Sequence, residues 1–156
     1  MLEADECGRG PSGRNGGFLH GYWSHLPRLR DRFGDADALA VARASNAIVP
    51  GVRAFCEREG ADVWLRESGM LRVSAAPAQD GSVEDEVAAA RELGVPEEAV
   101  PLSGEALADR IRSPRFRQGV FLRDGATVQP ARLALSLRKA ALGRVRLHER
   151  SRVTSI

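Results

Sequence analysis

The stretch GRGPSGRNGGF, residues 8–18, concentrates the residue types that bind phosphate. Glycines let successive backbone N–H groups converge on one anion. A serine hydroxyl adds a donor, and an arginine pairs with phosphate or lies on a planar ring. The first six residues, GRGPSG, satisfy G-x-G-x-x-G. That pattern holds a dinucleotide pyrophosphate only where an apolar strand runs into it and a helix opens on it. Here the preceding residues read EADEC, a poor buried strand, Pro11 sits inside the motif, and SGRNGG follows in place of a helix start. GRGPSG is therefore a chance match. Ser12, Arg14, Asn15, Gly16 and Gly17 of the overlapping SGRNGG form the candidate anion loop; a flexible surface loop is the alternative for the same composition.

Other chemistry is thinly represented. Cys7 and Cys56 are too few for a disulfide framework and form no C-x-x-C pair; Cys56 reads as a small core residue. His20, His25 and His148 lack metal-ligand spacing, so no metal site is expected. The net charge is +2, and Lys139 is the single lysine among many arginines. Those arginines are scattered among 21 acids instead of forming a stripe, so nucleic acid is not an expected partner. No apolar run is long enough to span a membrane, and the acidic start MLEADEC is unlike a signal peptide, which points to the cytoplasm.

The elements that would position these residues alternate in type. Residues 8–17 are a loop, residues 18–23 an aromatic and apolar lining segment, and residues 25–33 a charged surface stretch around Pro27. Val41, Ser45, Ile48, Val52 and Phe55 share one helix face over residues 36–59, with Pro50 kinking the stretch or dividing it into two helices and Gly60 ending it. Residues 63–66 and 70–74 read as a hairpin around Glu67-Ser68-Gly69. Residues 83–93 form an amphipathic helix ended by Gly94, and Ser103 caps a short helix to about Ile111. A strand over residues 119–123 and an Asp124-Gly125 turn lead to a helix opened by Pro130. Leu133, Leu137 and Ala141 share a face of that helix and Gly143 closes it; strands follow at residues 145–148 and around Val153. This order implies an α/β or α+β protein of at least two layers.

Several segments together resemble one family. LEADECGRGPSGRNGGF is similar to the second strand and following loop of the FAD-dependent D-amino-acid oxidase superfamily, which includes glycine, sarcosine and γ-glutamylputrescine oxidases; SGRNGGF is most like the last branch. Residues 36–60 resemble the long helical stretch before the family's substrate domain. DVWLRESGMLRVS resembles its hairpin entering the antiparallel sheet, DGATVQPARLALSLRKAA its helix entry, and VRLHERSRVTSI its strand returning to the FAD domain.

The resemblance implies an α/β (α+β) fold: an incomplete FAD/NAD(P)-binding domain of glutathione-reductase type with part of an antiparallel substrate-domain sheet. It places residues 1–60 in the FAD-binding domain, residues 61–125 in the substrate domain, and residues 126–156 back in the first. Glu3 matches the acid that binds the adenosine ribose hydroxyls, and a carboxylate suits that role because it accepts two hydrogen bonds side by side. Ala4 adjoins it. Ser12, Arg14, Asn15, Gly16 and Gly17 match the loop along the pyrophosphate and flavin, and Val153 the residue whose backbone meets adenine.

By the same resemblance FAD is the cofactor, and a hydride passes from a C–N carbon of a small amine or amino acid to the flavin, with oxygen or another acceptor following. No catalytic residue emerges. Arg66, Arg72 and Tyr22 are candidate substrate-carboxylate ligands, with plain surface arginines the alternative, and His20 and His25 could line a flavin site. In the family a strand and a G-x-G-x-x-G helix precede the acid, whereas Glu3 is the third residue here. The chain is therefore expected to be an internal fragment, inactive alone and binding FAD weakly or not at all, with apolar faces exposed. A complementary chain carrying the G-x-G-x-x-G segment is an expected partner. The alternative is a non-catalytic split subunit or interaction module.

Overall fold

The computed structural model describes every residue except Ile156, so the last residue of VRLHERSRVTSI lies outside the described residues. In chain order the elements are β1 (Phe18–Leu19), α1 (Leu26–Ser45), α2 (Ile48–Glu59), β2 (Met70–Ser74), α3 (Asp80–Glu92), β3 (Val100–Ser103), α4 (Gly104–Ala108), β4 (Gln118–Leu122), β5 (Ala126–Thr127) and α5 (Pro130–Leu142). The chain divides into two units. The first holds Met1–Leu19, Pro50–Arg66 and the chain from Thr127 onward; the second holds His20–Val49 and Glu67–Ala126.

The second unit is built on an antiparallel sheet of order β2-β4-β3. Met70 faces Leu122 and Ser74 faces Gln118 across β2 and β4, while Val100 faces Phe121 across β3 and β4. The central strand β4 supplies Val120 and Leu122, both fully buried. Each such aliphatic side chain contributes about 1.5–3 kcal/mol by leaving water. Around them pack Trp23, Leu26, Ala38 and Ala42 from the first helical region and Val83, Val87 and Ala90 from α3. Val83, Glu86, Val87 and Ala90 fall at i, i+3, i+4 and i+7, one stripe of α3, and all four are buried. Gly94, with φ +73°, ends that helix in the left-handed conformation that glycine adopts without strain.

Beside the two-stranded sheet of β1 and β5, short backbone ladders organise the first unit. Arg66 and Thr127 exchange two backbone bonds of 2.9 Å, Val128 donates to the Gly17 carbonyl (2.8 Å), and Gln129 donates to the Val63 carbonyl (2.8 Å). Pro130 then starts α5, where no backbone donor is needed, and the Gln129 side chain accepts the Arg132 N–H (2.7 Å). No residue of α5 is buried, and Leu135, Leu137 and Leu142 are about half exposed.

The expected mixture of helix and strand with part of an antiparallel sheet is what the structure shows; the long helical stretch is divided, but at residues 46–47 and not at Pro50, which sits in the first turn of α2. Other expectations are corrected. Residues 63–66 do not pair with β2 in a hairpin; Arg66 bridges to Thr127 and β2 pairs with β4. A tight turn after Glu67 is no obligation when a long-range partner offers the same backbone bonds. Residues 25–33, read as a charged surface stretch, lie largely in α1 with Pro27 in its first turn; all but the buried Leu26 are exposed or half-buried. The buried face of that region is Ala38, Ala42, Ser45 and Val49, one position away from Val41, which is exposed. The segment around residues 145–148 reduces to one parallel bridge, Leu2 to His148, and among the described residues no strand forms around Val153. Phe18 is exposed, whereas Trp23 is buried.

Candidate functional site

Residues 8–17 fold as a compact loop pinned by its own side chains. Pro11–Gly13 forms one 3-10 turn. The Asn15 amide donates to the carbonyls of Pro11 (3.1 Å) and Ser12 (3.0 Å), while its oxygen accepts the Gly17 N–H (2.8 Å). One side chain therefore closes the loop at both ends. Glycine is required at two points. A Cβ on Gly13 would lie 1.9 Å from the Gly8 carbonyl oxygen, and Gly17 has φ +73° with the Val128 oxygen 2.1 Å from where its Cβ would be. Neither a strand before the loop nor a helix after it forms, which agrees with GRGPSG being a chance match.

This closure leaves donors unspent. Arg14 is exposed and its guanidinium has no partner among the described residues. Ser12 is exposed, and the N–H groups of Asn15 and Gly16 donate to no described residue. A guanidinium, a hydroxyl and two adjacent amides form a donor set suited to a polyanion such as a pyrophosphate.

Glu3 lies on an extended segment that runs beside the end of the chain. Its N–H donates to the His148 carbonyl (2.9 Å), and its carbonyl accepts the Ser151 N–H (2.8 Å). The half-buried carboxylate uses Oε1 to accept the Asp5 N–H (2.9 Å), which leaves Oε2 for an external hydroxyl. Behind it, Glu149 ties three segments together. It accepts the Cys7 N–H (2.9 Å) and takes a two-point contact from Arg138 on α5, with Nε at 2.8 Å. The Arg138 bonds, then the Cys7 amide, pull the Glu149 carboxyl down to about 2. Burial, reinforced by the negative charges of Glu149 and Glu3, pushes the Cys7 thiol up, so Cys7 is a poor nucleophile.

The structure joins Ser12, Asn15 and Gly17 directly, and places Glu3 beside Ser151, two residues before Val153. Ala4 is exposed. Val153 is also exposed and makes no hydrogen bond to the other candidates among the described residues. Arg66, exposed, belongs to the first unit; Arg72, Tyr22, His20 and His25 belong to the second. Arg72 is engaged by Glu86, and Tyr22 is half exposed, with its N–H donating to Ser45 Oγ (2.9 Å).

Sequence reasoning passed over Glu149 and Glu86. Nothing local marks Glu149, whose partners lie on α5 and at Cys7. Glu86 carried a signal: it occupies the apolar stripe of α3 three residues after Val83, where a carboxylate needs a special reason to be. Among the described residues no three His, Cys, Asp or Glu side chains are grouped to hold a metal ion, and no helix is long and apolar enough to cross a membrane.

Comparison with known proteins fits this arrangement. The family model described as FAD dependent oxidoreductase, DAO, matches residues 1–156. Glycine oxidase from Geobacillus kaustophilus is similar in structure, with a TM-score of 0.75 and 19% identity over 99% of this chain and 40% of that one. Glycine oxidase from Bacillus cereus gives 0.70 and 18% over 99% and 40%. L-Amino acid deaminase from Proteus myxofaciens, in complex with anthranilate, gives 0.61 and 19% over 96% and 32%. The chain thus spans 40% of the glycine oxidase chains it resembles. No curated protein matches it. With the family model running along its whole length, this chain belongs to the FAD dependent oxidoreductase (DAO) family.

Proposed function

We propose that this chain supplies the ribose- and pyrophosphate-facing side of an FAD site in an oxidoreductase acting on the C–N bond of a small amine or amino acid. The observation that carries the reading is the loop of residues 8–17: Asn15 closes it from within, and Arg14, Ser12 and two amides stay free toward solvent. An anion can replace the water that satisfies those exposed donors.

The residues fit the cofactor. Glu3 Oε2 accepts a ribose hydroxyl, and the free oxygen of a fixed carboxylate favours that contact. Arg14 offsets the pyrophosphate charge and Ser12 and the amides of Asn15 and Gly16 donate to it, while exposed Gly16 allows close approach toward the flavin end and buried Gly17 shapes the loop. The exposed backbone around Val153 is available to adenine. Arg138 and Glu149 hold α5, the Cys7 turn and the chain end together, so that Glu3 and the loop keep a fixed spacing. Held by Glu3, Ser12, Arg14 and these amides, FAD would supply the hydride acceptor for oxidation of a substrate C–N bond.

The glycine oxidase chains it resembles are more than twice as long, so activity is assigned to the whole fold, and the 156-residue chain alone is proposed to hold FAD weakly. The test is an anaerobic titration of the FAD-loaded protein, with the rest of the fold supplied, using glycine, sarcosine and other small amines. Loss of oxidised-flavin absorbance with matching carbonyl product supports the reading. Flavin left unchanged by every amine, in protein that holds FAD tightly, overturns it.

A further inference from the structure

Between Asp109 and Asp124 the chain carries five arginines and no acid, and four of the five fall in residues 110–117, RIRSPRFR. That run joins α4 to β4 within the second unit. Apolar residues interleave it, and the fold gives them a shared surface. The Ile111 N–H donates to the Leu107 carbonyl (2.9 Å), which continues the turn of α4, and the Phe116 N–H donates to the Ser113 carbonyl (3.3 Å), which turns the chain at Pro114. An open groove of about 420 Å³ lies here, lined by Leu107, Ala108, Ile111, Arg112, Phe116 and Arg117 among others. Leu107 is buried, Phe116 is half-buried, and Ile111 is 41% exposed.

The arginines differ in what they touch. Arg117 is held by Asp80 through Nε and Nη2, which leaves Nη1 unused. Arg110 lies over the Phe121 ring at 3.9 Å. Arg112 is exposed on the groove and makes no hydrogen bond or ion pair with any described residue. No acid lines the groove. An apolar hollow edged by unopposed guanidinium groups suits a ligand with carboxylates around an apolar centre. The hollow is open and most of its lining is exposed, unlike the enclosed pockets that take small molecules. Its apolar side chains line a concavity and do not project as a membrane-inserting face does. A peptide laid along it satisfies both features.

We propose that this groove docks an acidic segment of a partner protein. An aliphatic or aromatic side chain of that segment seats against Ile111 and Phe116 over Leu107, and flanking carboxylates pair with Arg112 and with Nη1 of Arg117. The surface needs no cofactor and does not rest on the oxidase reading.

The probe is the peptide Asp-Glu-Leu-Phe-Asp-Glu, blocked at both ends. Two relatives accompany it: one with Gly-Gly in place of Leu-Phe, the other with Asn and Gln in place of Asp and Glu. Each is titrated into the 156-residue chain and followed by NMR shifts of the Ile111 methyl and the Phe116 ring. The first peptide is expected to saturate, and each relative to bind at least about tenfold more weakly. Arg112→Gln, at an exposed position, should weaken the first peptide about fivefold. Ile111→Ser should weaken it and leave the Gly-Gly peptide unchanged. Arg115→Gln removes the same charge outside the groove and should leave the first peptide unchanged. The proposal is overturned by shifts that do not saturate, by the Gly-Gly peptide binding as well as the first, or by Arg115→Gln weakening the first peptide as much as Arg112→Gln does. It is also overturned if vesicles of phosphatidylcholine and phosphatidylglycerol, or oligothymidylate, move the same signals at lower concentration than the peptide, because the surface would then serve a membrane or a nucleic acid.

Discussion

Glu86→Gln isolates the cost of the buried carboxylate. Two effects oppose each other at this residue. Burial removes the carboxylate from water, which favours its neutral form, while Arg72 favours the charged form. Burial is the larger, and it raises the Glu86 pKa from 4.5 to about 7. The folded protein therefore binds this proton more tightly than the unfolded chain. The stabilisation is complete below pH 4.5 and is lost as pH rises through about 7. At about 1.4 kcal/mol per pKa unit, the loss approaches 3 kcal/mol. Glutamine keeps an oxygen for Arg72 and cannot ionise. Urea unfolding followed by circular dichroism, on both proteins from pH 4 to pH 8, gives the difference in stability between them, and other carboxylates cancel. That difference should move toward the variant by about 3 kcal/mol across the range. A constant offset would refute the reasoning, because it would mean that Arg72 cancels the effect of burial and leaves Glu86 titrating as it does in the unfolded chain.

Three further outcomes follow from the packing. Gly17→Ala, which forces a Cβ onto the Val128 oxygen at φ +73°, should destabilise the first unit by at least about 2 kcal/mol, measured by chemical denaturation. For Arg138→Gln the shift has the opposite sign to that of Glu86: Glu149 is held down to about 2, so its contribution is present above the unfolded value of 4.5 and is lost as pH falls toward 2. Without Arg138 the acid unfolding midpoint should rise, as an acid titration of ellipticity would show. Leu122→Ala, at a fully buried position on the central strand, should cost about 2–5 kcal/mol, read from the shift in urea midpoint at unchanged slope.

Legibility in the sequence followed the range of the interaction. Gly94 and Gly60 stop helices, Pro130 opens one, and the SGRNGG loop forms without a strand or helix around it; each effect lies within one turn of the residue that causes it. The partner of β2 was not legible, because Met70 and Leu122 are brought together by contacts far apart in sequence, and a short turn beside β2 offered a plausible local substitute. The helix face near Val41 was misread by one position. Small Ala38 and Ala42 let the helix approach its neighbours closely, and burial of small residues leaves little hydrophobic signal. At the candidate site, the loop residues were legible from their types. The Arg138–Glu149 clamp behind them was not, since a surface-looking acid gains its role only from a helix eleven residues away.

The most direct measurement is FAD affinity of the 156-residue chain by flavin fluorescence quenching, compared with Glu3→Gln, Arg14→Gln and the exposed control Arg115→Gln. Removing a charged partner from a hydrogen bond to the cofactor typically weakens binding about tenfold. The expected result is weak, saturable binding that falls by about that factor in each site variant and is unchanged in the control. Equal affinity in all four proteins would contradict the assignment of Glu3 and the SGRNGG loop to the cofactor.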